Sequence, residues 1–286
     1  MSFEVPEHIK PLRARVRQFI EERIYPLEAE LDSGGDGARV VMRRLMDEAK
    51  AAGLWALGHP KEIGGQGLPF LDYVYVNEVV GRSEHAMIAL GTHSLQDSIM
   101  LNLHASPEWR EKYLAPLVAG EVFPSFAMTE PEVASSDPTQ LQTSAVLDGD
   151  HWVISGRKWF TTGANVAAYT TVMARTEPEA PPHAAFSMIV VPTDTPGHTV
   201  LYNHWTFNMP SDHAETELKN VRVPDSAILH KEGEGLMVAQ RFVHENRIRQ
   251  AAASAGAARY CIGEAAKYAR ERIAFGEPLS KKHWSP

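Results

Sequence analysis

Between Glu7 and Leu31 apolar residues recur at spacings of three and four: Ile9, Leu12, Val16, Phe19, Ile20 and Ile24. That period predicts an amphipathic helix, which Ser33-Gly-Gly-Asp-Gly37 breaks. A second helix is expected over Val40 to Ala52, stopped by Gly53. The helical period resumes from Phe70 to Val80, continues up to Leu103, and returns from Pro107 to Val118. Near Gly120 the texture changes, and Val122 to Leu229 carries short Val, Thr, Ile and aromatic runs split by Pro, Gly and Asp. Thr139 to Leu147 and His151 to Phe160 read as strands, and Asp148-Gly149 between them is a strong hairpin signal. Thr170 to Arg175, Phe186 to Val191, Thr199 to Tyr202 and Glu215 to Val221 are the later strands, and the prolines of 177–182 mark a surface loop. Strands in succession without intervening helices predict an antiparallel barrel or sandwich rather than βαβ units. From Glu234 to Arg272 no proline intervenes; as one helix this segment spans roughly 55–60 Å at 1.5 Å per residue. Its small-residue centre, Ala251 to Ala258, allows a neighbour to approach closely.

The pattern therefore predicts an α+β multidomain protein. An all-helical N-terminal domain covers 1–121, a β middle domain 122–231, and the start of a helical C-terminal bundle 232–286. A 44% hydrophobic content over 286 residues is ample for a large core. The net charge of −8 argues against nucleic acid or an anionic membrane as partner. One cysteine, Cys261, excludes an internal disulfide and a cysteine-rich metal site; its helical setting predicts an inert packed residue. The N-terminus lacks the basic start and apolar run of a secretory signal, and no uncharged apolar run reaches membrane-spanning length. The expectation is a soluble intracellular protein, cytoplasmic in location. His244-Glu245 has no second histidine at helical spacing, and the 13 histidines show no ligand spacing, so no metal is expected. Gly64-Gly-Gln-Gly67 lacks the spacing of a dinucleotide fingerprint.

The chemistry concentrates in Phe126 to Gly163. A hairpin there allows Thr129 and Thr162 to reach one side of a sheet, with the paired aromatics Trp159 and Phe160 between them in sequence. A flat, polar-edged redox ring needs an aromatic wall and short donors aimed at its edge. The plainer alternative is a hairpin with a buried tryptophan and surface threonines.

Two segments here, Thr129-Glu-Pro ending in Ser136-Asp137 and Gly156-x-Lys158-x-Phe160-x-Thr162, resemble the flavin-binding signatures of the acyl-CoA dehydrogenase family. Pro60-Lys-Glu-Ile-Gly-Gly-Gln-Gly-Leu68, Lys112 to Glu121, Val221-Arg-Val-Pro224 with Glu232-Gly-Glu-Gly-Leu236, and Arg272 to Leu279 resemble further motifs of that family in order. The resemblance implies FAD as cofactor, an acyl-CoA thioester as substrate in fatty-acid β-oxidation, an electron-transfer flavoprotein or similar acceptor, and a homo-oligomer. It implies flavin contacts from Phe126, Met128, Thr129, Phe160 and Thr162, with Phe160 standing where the family commonly has Trp. Ser136, with Ser135 as rival, takes the position associated with CoA, and Arg247 is the matching substrate-side arginine. Arg272 and Phe275 match a motif that reaches a neighbouring subunit's FAD pyrophosphate, a task suited to arginine.

The family's base is a glutamate, usually in a part of the bundle that has no counterpart before Pro286, sometimes immediately before the residue aligned with Arg247. Asn246 stands at the second position; Glu245, rotated about 100° around the helix, is expected to point elsewhere. Trp284-Ser-Pro286 does not resemble the family, so the tail is expected to be a truncation or altered frame. A lone bundle helix leaves Val243, Ile248, Ala255, Ile262 and Ile273 short of partners, which predicts self-association. Two alternatives accompany the dehydrogenase reading: a flavin-dependent monooxygenase on the same scaffold, and a catalytically silent flavin- or acyl-CoA-binding fragment.

Overall fold

The structure is a computed structural model that describes residues 4–282. The tail expected to depart from the family, Trp284 to Pro286, lies outside the described residues. Contacts divide the chain into two units. The first holds the residues up to Gly58, Gly67–Thr92 and those from Asn246 onward; the second holds His59–Gln66 and His93–Glu245.

The first unit is helical: α1 (Lys10–Phe19), α2 (Glu28–Asp32), α3 (Gly35–Ala51), α4 (Phe70–Val80) and the short α5 (Ala86–Ala89). The later part of a long helix, α8 (Gly235–Glu271), belongs to it as well. The continuous helix expected over 7–31 is interrupted by a π turn at Ile20–Ile24 and a 3₁₀ turn at Tyr25–Leu27. Pro26 explains this, because it has no N–H to continue the ladder and its ring crowds the preceding turn. Helix α3 begins before the expected Val40, since only Gly34 and Gly35 of the glycine run hold positive φ. Asp36 then sits in the first turn, where an anion suits the helix dipole.

Helices α4 and α8 meet backbone to backbone. A Cβ built on Gly256 stands 1.7 Å from the Glu78 carbonyl oxygen, so this crossing tolerates no side chain. That is the close approach which the small residues of 251–258 suggested. Arg249, buried, donates to the Thr92 carbonyl at 2.7 Å and to Asn246 Oδ1 at 2.8 Å, while Asn77 Nδ2 donates to the Arg249 carbonyl at 2.7 Å. Cys261 corrects its expectation: it is a free thiol on an exposed side of α8 rather than a packed residue. Ile248, Ile262 and Ile273 are exposed too. After α8 a small hairpin, β9 (Ile273–Ala274) and β10 (Glu277–Pro278), carries Phe275 at its tip.

The second unit pairs α6 (Leu95–His104) and α7 (Pro107–Ala119) with an eight-stranded sheet and the first turns of α8. The strands are β1 (Pro124–Ala127), β2 (Ser144–Asp148), β3 (His151–Thr162), β4 (Tyr169–Arg175), β5 (Phe186–Pro192), β6 (His198–Thr206), β7 (Met209–Pro224) and β8 (Ile228–Leu229). Their order is β6-β7-β3-β2-β4-β5-β8, with β1 added on β4. Two parallel pairings, β1–β4 and β2–β4, join an otherwise antiparallel sheet. The β2–β3 hairpin turns through Gly149, whose φ of +66° a glycine adopts without strain. Strand β2 starts at Ser144 and not Thr139, because Pro138–Gln140 form a 3₁₀ turn capped by Asp137. Strands β4 and β5 are buried along almost their whole length and form the centre of the core. No helix among the described residues is long and apolar enough to cross a membrane.

Candidate functional site

The end of β3 and the segment leaving β1 are stitched together. Trp159 N donates to the Thr129 carbonyl at 3.0 Å, and Thr129 Oγ1 donates back to the Trp159 carbonyl at 2.9 Å. Four residues earlier on one segment and three later on the other, Ser125 Oγ donates to the Thr162 carbonyl at 2.8 Å. The two threonines expected to flank a ring are therefore tied to positions three residues apart on β3, roughly 10 Å along a strand.

Beneath this stitch lies a buried ion pair. Lys158 is fully enclosed, and its Nζ donates to the Met128 carbonyl at 2.9 Å and to Glu130 Oε1 at 2.8 Å. The same carboxylate accepts the backbone N–H groups of Gln142 at 2.7 Å and Thr143 at 2.9 Å. Burial pulls the lysine pKa down to about 8, outweighing the attraction of Glu130. For Glu130 burial acts upward, but the Lys158 charge and the donated hydrogen bonds together hold it below the ordinary carboxylate value. The pair locks the Thr129-Glu-Pro segment onto the Gly-x-Lys segment, with Glu130 from one motif facing Lys158 from the other.

Above the pair, β3 departs from regular pairing with β7 between Lys158 and Thr161. Phe160 occupies that irregularity at φ +50°, a left-handed conformation costly for a bulky residue. The residue is 43% exposed. His204 stacks on one face at 5.0 Å and 14°, and Trp159 meets it edge-on at 5.1 Å. Glu215, almost wholly buried, supports this layer by accepting from the Tyr202 hydroxyl, by forming an ion pair with Arg157 and by facing His204 Nε2 at 3.3 Å. Beside Phe160, the exposed Thr162 places Oγ1 2.9 Å from His213 Nδ1, its partner across the β3–β7 pairing.

The remaining predicted residues divide between the units. Phe126 is half-buried and stacks flat on Phe242 at 4.7 Å and 8°, so one of its faces is already covered. Thr129 has its hydroxyl proton engaged by Trp159 and retains acceptor capacity only. Ser135 closes its own turn, accepting from Glu130 N at 2.8 Å, whereas Ser136 is exposed and its hydroxyl has no hydrogen bond within the described chain. Glu245 lines a cavity of about 10 Å³, room for about one water, together with Phe242, Arg241, Val238, Met100 and Gln96. Glu245 shares this lining with Phe242, the residue that stacks on Phe126. Arg247, Arg272 and Phe275 belong to the first unit and are exposed, Phe275 to 97% and at φ +55°.

Sequence reasoning missed Glu130, His204 and His213. Glu130 left a trace, because an acid in one motif and a lysine in the other invite pairing. The histidines left none: only the register of β7 against β3, and of β6 against β7, brings them beside Phe160. A part-exposed aromatic side chain and an exposed hydroxyl, two residues apart on β3, suit a flat, polar-edged ligand.

Family models for the acyl-CoA dehydrogenase N-terminal, middle and C-terminal domains match residues 6–121, 125–221 and 233–285. The probable acyl-CoA dehydrogenase FadE2 of Mycobacterium tuberculosis is 34% identical, the match covering 99% of this chain and 72% of that protein. Acyl-CoA dehydrogenase family member 10 of Mus musculus is also 34% identical over 96% of this chain, which spans only 28% of that longer protein. Among solved structures, a putative acyl-CoA dehydrogenase from Mycobacterium abscessus superimposes with a TM-score of 0.90 at 33% identity, covering 98% of this chain and 74% of that one. A glutaryl-coenzyme A dehydrogenase in complex with glutaryl-CoA gives a TM-score of 0.82 at 27% identity, with coverages of 99% and 71%.

Proposed function

The chain belongs to the acyl-CoA dehydrogenase family, and from that premise we propose that it binds FAD against the Phe160 face and acts on an acyl-CoA thioester. Its relatives are named as dehydrogenases, which makes it an enzyme by resemblance. The observation that carries the flavin reading is the exposed Phe160 ring, held at positive φ beside the Thr162 hydroxyl. When bound, FAD supplies a two-electron acceptor for the hydrogen that leaves the substrate β-carbon with its electron pair. Phe160 contributes a stacking wall, Thr162 a hydroxyl at the ring edge, and Thr129 an acceptor. Phe126 and Met128 complete the margin. Ser136 is the free hydroxyl for the CoA portion, with Arg247 a second substrate contact. Arg272 and Phe275 reach the pyrophosphate of a neighbouring subunit's FAD, which requires a homo-oligomer. An electron-transfer flavoprotein is the natural acceptor for the electrons removed.

The α-proton needs a carboxylate. Glu245 is the acid on the cavity that Phe242 borders, and it is the candidate to take that proton. A second reading, a silent flavin- or acyl-CoA-binding chain, is favoured by Asn246, an amide already accepting from Arg249. One experiment separates them: anaerobic addition of acyl-CoA to the FAD-loaded chain. Bleaching of the flavin band supports turnover, and Glu245→Gln then slows it by about 10²–10⁴-fold. Acyl-CoA binding without bleaching supports the silent reading, and an unbleached wild type with full FAD occupancy refutes Glu245 as base.

A further inference from the structure

We propose that His213 is a positioning residue for Thr162: it donates from Nδ1 to the threonine hydroxyl and so leaves the hydroxyl proton free for a bound ring. The inference rests on the flavin reading of this face. Thr162 and His213 stand opposite each other across the β3–β7 pairing, with Oγ1 and Nδ1 2.9 Å apart. A hydroxyl has one proton, and a neutral imidazole has one N–H. With Nδ1 bare, Thr162 must give its proton to the histidine and presents the ring with lone pairs only. With Nδ1 protonated, the histidine donates and the threonine proton turns outward.

Asp212 decides between the two. Its Oδ1 lies 3.3 Å from the same Nδ1. A carboxylate only accepts, so a bare Nδ1 sets lone pair against lone pair, whereas Nδ1–H donates to Thr162 and turns a positive edge towards the carboxylate. The backbone holds this geometry from both sides: Gly163 N donates to the Asp212 carbonyl at 2.9 Å, and His213 N donates to Ser211 Oγ at 3.2 Å. On β3, the hydrogen bond from Ser125 Oγ to the Thr162 carbonyl fixes the residue that carries the hydroxyl. Phe160 and Thr162 are both exposed, with buried Thr161 between them on β3. A ligand with an acceptor atom at its ring edge is what this donor recognises.

Two measurements on the full chain test the proposal. Long-range ¹⁵N–¹H correlation spectra of His213, with His213→Asn as the assignment control, report the tautomer without any flavin, and a protonated Nδ1 is expected. FAD titrations followed by flavin fluorescence provide the second. Thr162→Val and His213→Phe are each expected to weaken FAD binding roughly three- to tenfold, the effect of one lost hydrogen bond. The double variant is expected to lose no more than either single one, and both singles to shift the flavin absorption band in the same direction. His213→Asn, which keeps an N–H near the Nδ1 position, should stay within about twofold of wild type. A bare Nδ1 overturns the proposal. So does a His213→Phe variant that binds FAD like wild type while Thr162→Val does not, or additive losses in the double variant. A wild type that takes up no FAD brings down the flavin reading and this proposal together.

Discussion

Replacing Lys158 with methionine tests what holds the two motifs in place. The side chain is wholly buried, and its ammonium is the cation facing Glu130 and the donor to the Met128 carbonyl. Methionine approximates the lysine stem, so little cavity opens, and the loss is electrostatic. Glu130 is left as a buried carboxylate with the Gln142 and Thr143 amides but no counter-charge. Breaking a buried pair from one side costs about 3–5 kcal/mol. That is a large part of the roughly 5–15 kcal/mol that stabilises an ordinary domain. Urea unfolding at pH 7, followed by tryptophan fluorescence and circular dichroism, measures the loss directly. The pair itself has a sharper signature: Lys158→Met with Glu130→Gln removes both charges and should return to within about 1 kcal/mol of wild type. A loss below about 1 kcal/mol in Lys158→Met, or a double variant as unstable as the two singles summed, refutes the ion-pair account.

Further outcomes follow from the same structure. Folded Lys158 titrates at about 8 and an ordinary lysine at 10.5, so between those values the unfolded chain binds the extra proton. Wild type should therefore gain stability relative to Lys158→Met as pH rises from 8 towards 10, by up to about 1.4 kcal/mol per unit; a constant gap in urea midpoints across that window contradicts this. Glu130, held below its ordinary 4.5, contributes stability above that pH and loses it as pH falls through its lower folded value. Gly256→Ala should lower the melting temperature, because a Cβ 1.7 Å from the Glu78 carbonyl forces α4 and α8 apart. The expected cost of about 1–3 kcal/mol exceeds the helix propensity gained. Gly263→Ala, on the same helix with nothing within 4 Å of its Cβ, should instead raise it.

The helical and strand segments were readable because their apolar period is regular, and the α8 crossing was readable because its small residues cluster. Ends and interruptions were harder to see. Pro26 alone splits the first helix, and the Asp137 cap converts the start of a predicted strand into a 3₁₀ turn. At the site, Thr129, Phe160 and Thr162 were visible as residue types that suit a flat ring. That the Thr129 proton is already taken, and that Phe126 has one face covered, depends on contacts from β3 and α8 that no local pattern encodes. The histidine layer over Phe160 is more remote still, because it needs two strand registers to be known at once. Glu245 lines a small cavity between residues of α6 and the start of α8, a neighbourhood that rotation around one helix does not encode.

The proposed chemistry requires that the Phe160 face receive a flavin. The direct measurement is an equilibrium titration of FAD with the full chain and with Phe160→Gly, alongside urea unfolding of both. Glycine suits the φ of +50°, so the variant should unfold no more easily than wild type. Its FAD affinity should nevertheless fall about tenfold or more as the stacking surface disappears. Unchanged FAD affinity in Phe160→Gly, or no binding by the wild-type chain, contradicts the account.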